Sequence, residues 1–302
     1  FYCGYLISIV KIPSHKEVKK IYFLIFPVSS IIGAFFLLRY QNNILNSDSL
    51  NIRGYGEEFD LNAVGVSFVS GLVFIINFCI LIKIKTLSKF QKSIYLLALF
   101  ILLLVIISTL SRGAILYLVF LCLLVLISES NLKLGVYRKI GKFFLIGIPF
   151  SIFFFFIVSN FSFFSERFAI FTYRFEGLFE YLNGSSSDLS SVERSYNYVF
   201  FYKNIHLFIF YGLRNYAPYP HNIFMEIFMR WGLFGFPFFL ILIYSLYKSF
   251  YFVKRGFFYN NILIYIIILL FLFSFMQSLT SLSLEMNRFL WLGLGFFSGK
   301  IK

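Results

Sequence analysis

The sequence predicts an all-α polytopic membrane protein with about eight complete transmembrane helices, preceded by a truncated one. Two observations carry this prediction. Of the 302 residues, 60% are hydrophobic and only 13% are charged, too few polar groups to cover a soluble protein. Apolar stretches near the roughly 20 residues that a helix needs to cross a bilayer also recur along the chain. We expect residues 1–302 to form a single integral membrane domain, and the composition excludes a disordered chain.

The predicted spans follow one another with short connections between most of them. An apolar run at 1–10 is interpreted as the end of a truncated span, because it lacks the basic start and the small-residue cleavage site of a signal peptide. The break at 111–113 is slight, and a tight hairpin fits there better than one long helix. The eight complete spans are predicted at 21–40, 63–83, 93–110, 114–128, 143–159, 233–252, 261–281 and 288–299.

Two connections, 41–62 and 160–220, are longer and more polar than the others. In the predicted topology both lie outside the cytoplasm, and the larger one precedes a late span. Long loops on a rigid scaffold are where binding and catalytic residues concentrate. We therefore expect 160–220 to be a large extracytoplasmic loop with a functional role. The chain shows no internal repeat of the kind that indicates a transporter.

The net charge of +14 is divided unevenly between the two sides of the membrane. If 11–20 is cytoplasmic, 15 of the 16 lysines lie in cytoplasmic loops, whereas nine of the 11 arginines lie outside. Basic residues near span ends favour the cytoplasmic side, so this orientation is strongly indicated. The cytoplasmic charge is spread over five short loops and forms no single basic face, which argues against a nucleic-acid partner.

Arginine is concentrated on the predicted outside face, where Lys203 is the only lysine. A guanidinium group matches phosphate oxygens with a planar fork and stays protonated. Arginines at span ends can also reach lipid headgroups, but that explanation does not account for the near exclusion of lysine. A polyanionic ligand explains the set better. Its members are Arg39, Arg53, Arg112, Arg167, Arg174, Arg194, Arg214, Arg230 and Arg288.

Two places in this set stand out. Arg112 lies between two apolar runs with almost no loop around it, where a charge is either functional or the tip of a hairpin among headgroups. Further along, Pro220 precedes His221, and Asn222 is a suitable cap for a helix that starts there. His221 then lies at a helix N-terminus, which suits a phosphate, or it simply forms local hydrogen bonds.

Glu226 and Arg230 follow on the same predicted helix, four residues apart, where they either pair with each other or bind a ligand. Neither a disulfide framework nor a metal site is predicted. The three cysteines, Cys3, Cys79 and Cys122, have no CxxC partner, and the outside carboxylates show no pair at metal-ligand spacing. We expect no cofactor.

These motifs resemble those of the O-antigen polymerase and O-antigen ligase superfamily. The resemblance rests on Ser111-Arg112-Gly113 and on the segment 220–235, which begins Pro220-His221-Asn222 and ends at Gly235. Further matches are Arg53 with Asn62, and Arg194 followed by Gly212. Each motif alone is weak, but their order and spacing from about residue 50 to the end are fairly specific.

The resemblance implies a membrane glycosyltransferase at the outer face of the bacterial inner membrane. Its substrate would be an oligosaccharide linked through pyrophosphate to undecaprenol, and no metal or other cofactor would be needed. Arg112, Arg194 and Arg53 would hold the pyrophosphate, and His221 would orient or deprotonate the acceptor hydroxyl. The substrate-binding candidates are Arg53, Asn62, Arg214, Asn222, Glu226 and Arg230. Family members generally have more N-terminal spans, and Arg230 stands where an apolar or acidic residue is expected.

Three activities remain open at this stage. A polymerase that joins repeat units into O-antigen or capsular polysaccharide is the first choice, with a chain-length regulator and a flippase as further partners. A ligase that transfers the finished chain to lipid A-core is the second. An exporter of lipid-linked oligosaccharide also needs arginines for pyrophosphate, but it requires polar groups through the midplane, and the predicted spans are nearly free of charge.

Overall fold

The computed structural model describes residues 26–45, 63–109, 111–128, 189–213, 220–255, 262–280 and 287–299, with five isolated positions between 165 and 176. Within these ranges all regular structure is helical, which confirms the all-α prediction there. The helices are α1 (Phe26–Leu45), α2 (Ala63–Lys83), α3 (Lys89–Ser108), α4 (Arg112–Ser128), α5 (Leu189–Phe208), α6 (Ile223–Trp231), a 3₁₀ turn (Gly232–Gly235), α7 (Phe236–Arg255), α8 (Ile262–Ser278) and α9 (Arg288–Ser298).

Three stretches of the described chain are long and apolar enough to cross a membrane: Val64–Lys83, Lys89–Ser108 and Ile223–Val253. Shorter apolar helices cover Phe26–Leu37, Arg112–Val125 and Ile262–Ser278. The chain thus has the helices of a membrane protein, while the count of eight spans and the orientation stay predictions. The predicted span 143–159 and the truncated span 1–10 lie outside the described residues.

The predicted spans and the helices differ at two places that matter below. Helix α3 begins at Lys89, before the apolar run, because Ser88 and Gln91 form a capping box: the Gln91 N–H donates to Ser88 Oγ, and the Ser88 N–H donates to Gln91 Oε1. Within the predicted loop 160–220, residues Leu189–Phe208 form a 20-residue helix that hydropathy did not indicate.

Chain contacts group the molecule into two compact units. The first contains residues 13–172 and 253–266, and therefore α1 to α4. Its core is formed by Ala34, Val66, Phe100, Ile101, Leu102, Leu104 and Val105. One polar link joins α1 to α2 in this core, where Asn77 Nδ2 donates to Ser30 Oγ at 3.1 Å. The turn between α3 and α4 is short, as the hairpin prediction required: α3 ends at Ser108 and α4 begins at Arg112.

The second unit contains residues 1–12, 173–252 and 267–302, and thus α5, α6, most of α7 and α8, and α9. Helix α9 packs against α8 through Phe271 and Phe297, whose rings lie 5.3 Å apart. The first turn of α9 is fixed by Asn287, a fully buried side chain that hydrogen-bonds to both helices. Helix α7 leaves Leu240, Ile243 and Tyr247 exposed, as a lipid-facing surface requires.

Candidate functional site

The ends of α5 and α6 are joined backbone to backbone in an arrangement that we call the glycine clasp, made of Gly212, Leu213, Gly232 and Leu233. The Leu213 N–H donates to the Met229 carbonyl at 2.6 Å, and the Leu233 N–H donates to the Ile209 carbonyl at 2.7 Å. Each of these donors directly follows a glycine. The clasp therefore connects two turns that lie about 20 residues apart in the sequence.

Both glycines are required by this geometry. Gly212 has φ +74° and Gly232 has φ +56°, values in the left-handed region that side chains disfavour. A Cβ at Gly212 would collide with the Arg230 carbonyl oxygen, and one at Gly232 would lie 2.6 Å from the Ile209 carbonyl oxygen. The two main chains can approach this closely only because neither residue carries a side chain.

Helix α6 starts as the sequence predicts, with Asn222 as its cap. Asn222 has extended backbone angles, and its Oδ1 accepts from the N–H groups of Phe224 at 3.0 Å and Met225 at 3.4 Å. The Glu226 N–H donates to the Asn222 carbonyl at 2.9 Å. Asn222 is therefore occupied in capping the helix, which satisfies donors of the first turn.

His221 precedes the cap and has an unusual backbone. Its φ is +52°, and it is the only non-glycine residue with a positive φ among the described residues. Histidine tolerates this conformation better than most residues, but holding it there still costs about 1–3 kcal/mol. The side chain is half-buried. The left-handed backbone sets the direction in which the imidazole projects from the chain.

Glu226 and Arg230 form an ion pair, the first of the two alternatives that their spacing left open. The Arg230 guanidinium lies 2.8 Å from Glu226 Oε1. Glu226 is only 2% exposed, whereas the Arg230 side chain is 38% exposed. The arginine thus serves as the counterion of a buried carboxylate while one side of it faces outward. The carbonyl of the same Arg230 contacts Gly212 in the clasp.

Arg112 belongs to the other unit, at the first position of α4. The turn before it is held by Thr109, whose Oγ1 donates to the Ile106 carbonyl at 2.6 Å and accepts from the Ser111 N–H at 3.4 Å. An N-terminal helix position carries a positive potential, where a cation is disfavoured and an anion is attracted. Arg112 adds its charge to that potential, which makes this turn a suitable place for a phosphate.

The structure thus brings four of the predicted residues together on and just before α6: His221, Asn222, Glu226 and Arg230. The side chain of Arg194 in α5 is not among those described, and Arg53, Asn62 and Arg214 lie outside the described residues. No group of three or more His, Cys, Asp or Glu side chains that could hold a metal ion occurs in the described part.

Arg288 belongs to the set of predicted outside arginines but is not among the individual site candidates. It is the first residue of α9, where it follows the capping residue Asn287. Its setting parallels that of Arg112, because both are predicted outside arginines at the first position of a helix. The start of this helix is visible in the sequence, since a cap-forming Asn directly precedes the arginine and the apolar run.

Comparison of the chain with models of known protein families, with curated proteins and with solved structures gives no match.

Proposed function

We propose that this chain is a membrane glycosyltransferase that polymerises oligosaccharide repeat units carried on undecaprenyl pyrophosphate, at the outer face of the bacterial inner membrane. The observation that carries the proposal is the setting of His221. His221 has a half-buried imidazole and a left-handed backbone conformation. It lies directly before a capped helix N-terminus, in a segment whose two ends are joined by the hydrogen bonds of the glycine clasp. Strain maintained at such a place is typical of positions with a functional role.

The chemistry follows from the groups available. The acceptor hydroxyl oxygen attacks the anomeric carbon of the donor sugar, and the bond from that carbon to the pyrophosphate oxygen breaks. The electron pair leaves with undecaprenyl pyrophosphate, and the hydroxyl proton passes to the imidazole of His221, because histidine is the residue type most often used as a general base. Negative charge grows on the leaving oxygens, and fixed cations stabilise such charge. The resemblance assigns this role to Arg112 and Arg194.

Ligation to lipid A-core is the second candidate, and His221 is the observation that favours it, because the ligases are the branch of the resembling superfamily in which a histidine is implicated. Both reactions share the same leaving group and the same demand for fixed cations. They differ in the acceptor, which is another repeat unit for the polymerase and a core sugar for the ligase.

A surface-polysaccharide gel from a deletion strain, run beside its parent, tests the proposal. A lipid A-core band with a single repeat unit and no ladder is expected for a polymerase. Bare core with polymer accumulating on undecaprenyl pyrophosphate would instead establish the ligase. Bare core with no polymer on undecaprenyl pyrophosphate would favour the exporter, and an unchanged ladder would refute all three activities.

Complementation with variants then tests the residues. Arg112→Ala and Arg194→Ala are expected to abolish the ladder at normal membrane levels. The matched control is Lys89→Ala, which removes an exposed cation from the first position of α3 on the predicted cytoplasmic side and is expected to retain the ladder. At position 221, Gly and Asn both tolerate the backbone conformation but lack the base. We expect both variants to be stably inserted and inactive. Full activity of either would show that only the backbone geometry matters.

A further inference from the structure

Helix α5 carries a shallow groove of about 170 Å³ that lies apart from the residues discussed above. Tyr196, Val199, Phe200, Lys203 and Asn204 line it. Their spacing of three to four residues places them on one face of the helix. The groove is thus a feature of a helix that the hydropathy pattern had assigned to a loop.

The lining combines an aromatic ring with polar groups. Tyr196 is 75% exposed, so one face of its ring is open. Lys203 is exposed and forms no ion pair with the residues that the structure describes. Asn204 Nδ2 donates to the Phe200 carbonyl at 2.8 Å, which fixes the amide and leaves its oxygen to accept. A sugar ring is complementary to this lining, because it has an apolar C–H face and hydroxyl groups around its edge.

The helix that carries the groove packs against α6. Both α5 and α6 end at the glycine clasp, and they pack together through Phe201, Phe208 and Met229. With a rise of about 1.5 Å per residue, the groove residues lie roughly 6–18 Å from that end of α5. The Asn222 end of α6 lies roughly 13 Å from it on the same scale. Phe200 of the groove and Met225 of α6 both pack against this cluster, so the groove adjoins α6.

Lys203 is also the only lysine that the charge pattern places outside the cytoplasm. The other outside cations are arginines, which suit phosphate. A lone ammonium on a flexible stem has three donors that can adapt to hydroxyl or carboxylate oxygens. This difference separates the groove chemically from the arginines assigned to the pyrophosphate.

We infer that this groove is a glycan subsite, in which one sugar ring of the oligosaccharide lies against Tyr196 and its polar groups bond to Lys203 and Asn204. The inference rests on the proposed function, since it adds a site for the chain at a distance from the bond being formed. Such a subsite retains the polymer between additions. Its loss shortens the product without preventing the first linkage.

Complementation of the deletion strain tests the subsite. Tyr196→Ala and Lys203→Ala are expected to shift the ladder toward fewer repeat units while short products persist. Tyr202→Ala is the matched control, because Tyr202 lies on the same helix with 67% exposure but outside the groove. Immunoblots of the membrane fraction establish equal levels of all variants. Wild-type ladders from both groove variants overturn the subsite, as does an equal shift in the Tyr202→Ala strain.

A direct titration separates the subsite from the reaction. Wild-type protein in nanodiscs is titrated with purified polysaccharide from the parent strain, and the Kd is compared with that of Tyr196→Ala. Removing an aromatic stacking partner worth about 0.5–1.5 kcal/mol weakens binding by up to about tenfold. An unchanged Kd overturns the subsite. An intact ladder after deletion of the gene overturns the proposed function instead, so the two failures are distinguishable.

Discussion

Adding one methyl group to either glycine of the clasp should separate the ends of α5 and α6. For Gly212→Ala the left-handed backbone alone costs about 1–2 kcal/mol in a residue with a side chain. The new Cβ also collides with the Arg230 carbonyl oxygen, so the two main chains must move apart. Leu213 and Leu233 then lose their short hydrogen bonds to Met229 and Ile209, at about 1 kcal/mol each.

The expected destabilisation is therefore on the order of 2–4 kcal/mol for Gly212→Ala, with a similar value for Gly232→Ala. Because the clasp is local, hydrogen–deuterium exchange is the suitable assay, with peptides that cover 209–213 and 230–235. Both peptides should exchange faster in either variant. The apparent Tm of the detergent-purified protein should fall as well.

Gly33→Ala provides the matched control, since it makes the same chemical change in a different setting. Gly33 lies inside α1, and a Cβ there would meet nothing within 4 Å. Alanine is the better helix former by up to about 1 kcal/mol, so this variant should keep or slightly raise the Tm. Wild-type exchange rates in both clasp peptides of Gly212→Ala would refute the claim that the two main chains approach too closely at the clasp for a side chain.

Two further predictions concern buried polar groups. Arg230→Ala should destabilise more than Glu226→Gln, because it leaves the 2% exposed carboxylate without its guanidinium partner, and the double variant should recover part of the loss. A thermal double-mutant cycle should give a coupling of roughly 0.5–3 kcal/mol, and simple additivity would contradict the pairing. Asn287→Ala removes three hydrogen bonds, to the Leu290 N–H (3.1 Å), the Ser274 carbonyl (2.7 Å) and Ser278 Oγ (2.5 Å). It should cost about 2–4 kcal/mol, against about 1 kcal/mol for Ser278→Ala, and equal losses would show that the bond to Ser278 dominates.

Hydropathy predicts the apolar helices because the bilayer imposes their length and composition. The prediction at 63–83 matches α2 residue for residue, and the one at 288–299 is only a residue too long at its end. Hydropathy fails to locate a helix end where polar residues extend the helix. Helix α3 starts at Lys89 because a capping box, and not an apolar run, fixes its start. Hydropathy fails also for α5, whose buried face consists of Asn197, Phe201 and Phe208 among polar neighbours. That pattern is a helical stripe, which an average over a window conceals.

The candidate site was predictable in part, because Asn222 and the pair Glu226–Arg230 follow local rules of capping and of i,i+4 spacing. The left-handed backbone of His221 was not predictable, since a non-glycine residue adopts it only when tertiary contacts impose it. Nor does a single sequence show that Gly212 and Gly232 meet. Their glycine identity is visible, but the carbonyl oxygen that excludes a side chain at each belongs to a distant segment.

The clasp gives these glycines a structural role. Residues 213–231 begin and end at it, and they contain Arg214, His221, Glu226 and Arg230. Closing a loop of this length costs conformational entropy whether or not its interior is ordered, and the backbone hydrogen bonds of the clasp offset part of that cost. The anchor uses main-chain atoms and glycine, so it is independent of the side chains between its ends. Substitutions among those side chains should therefore leave the base of the segment, and with it the position of α6, in place.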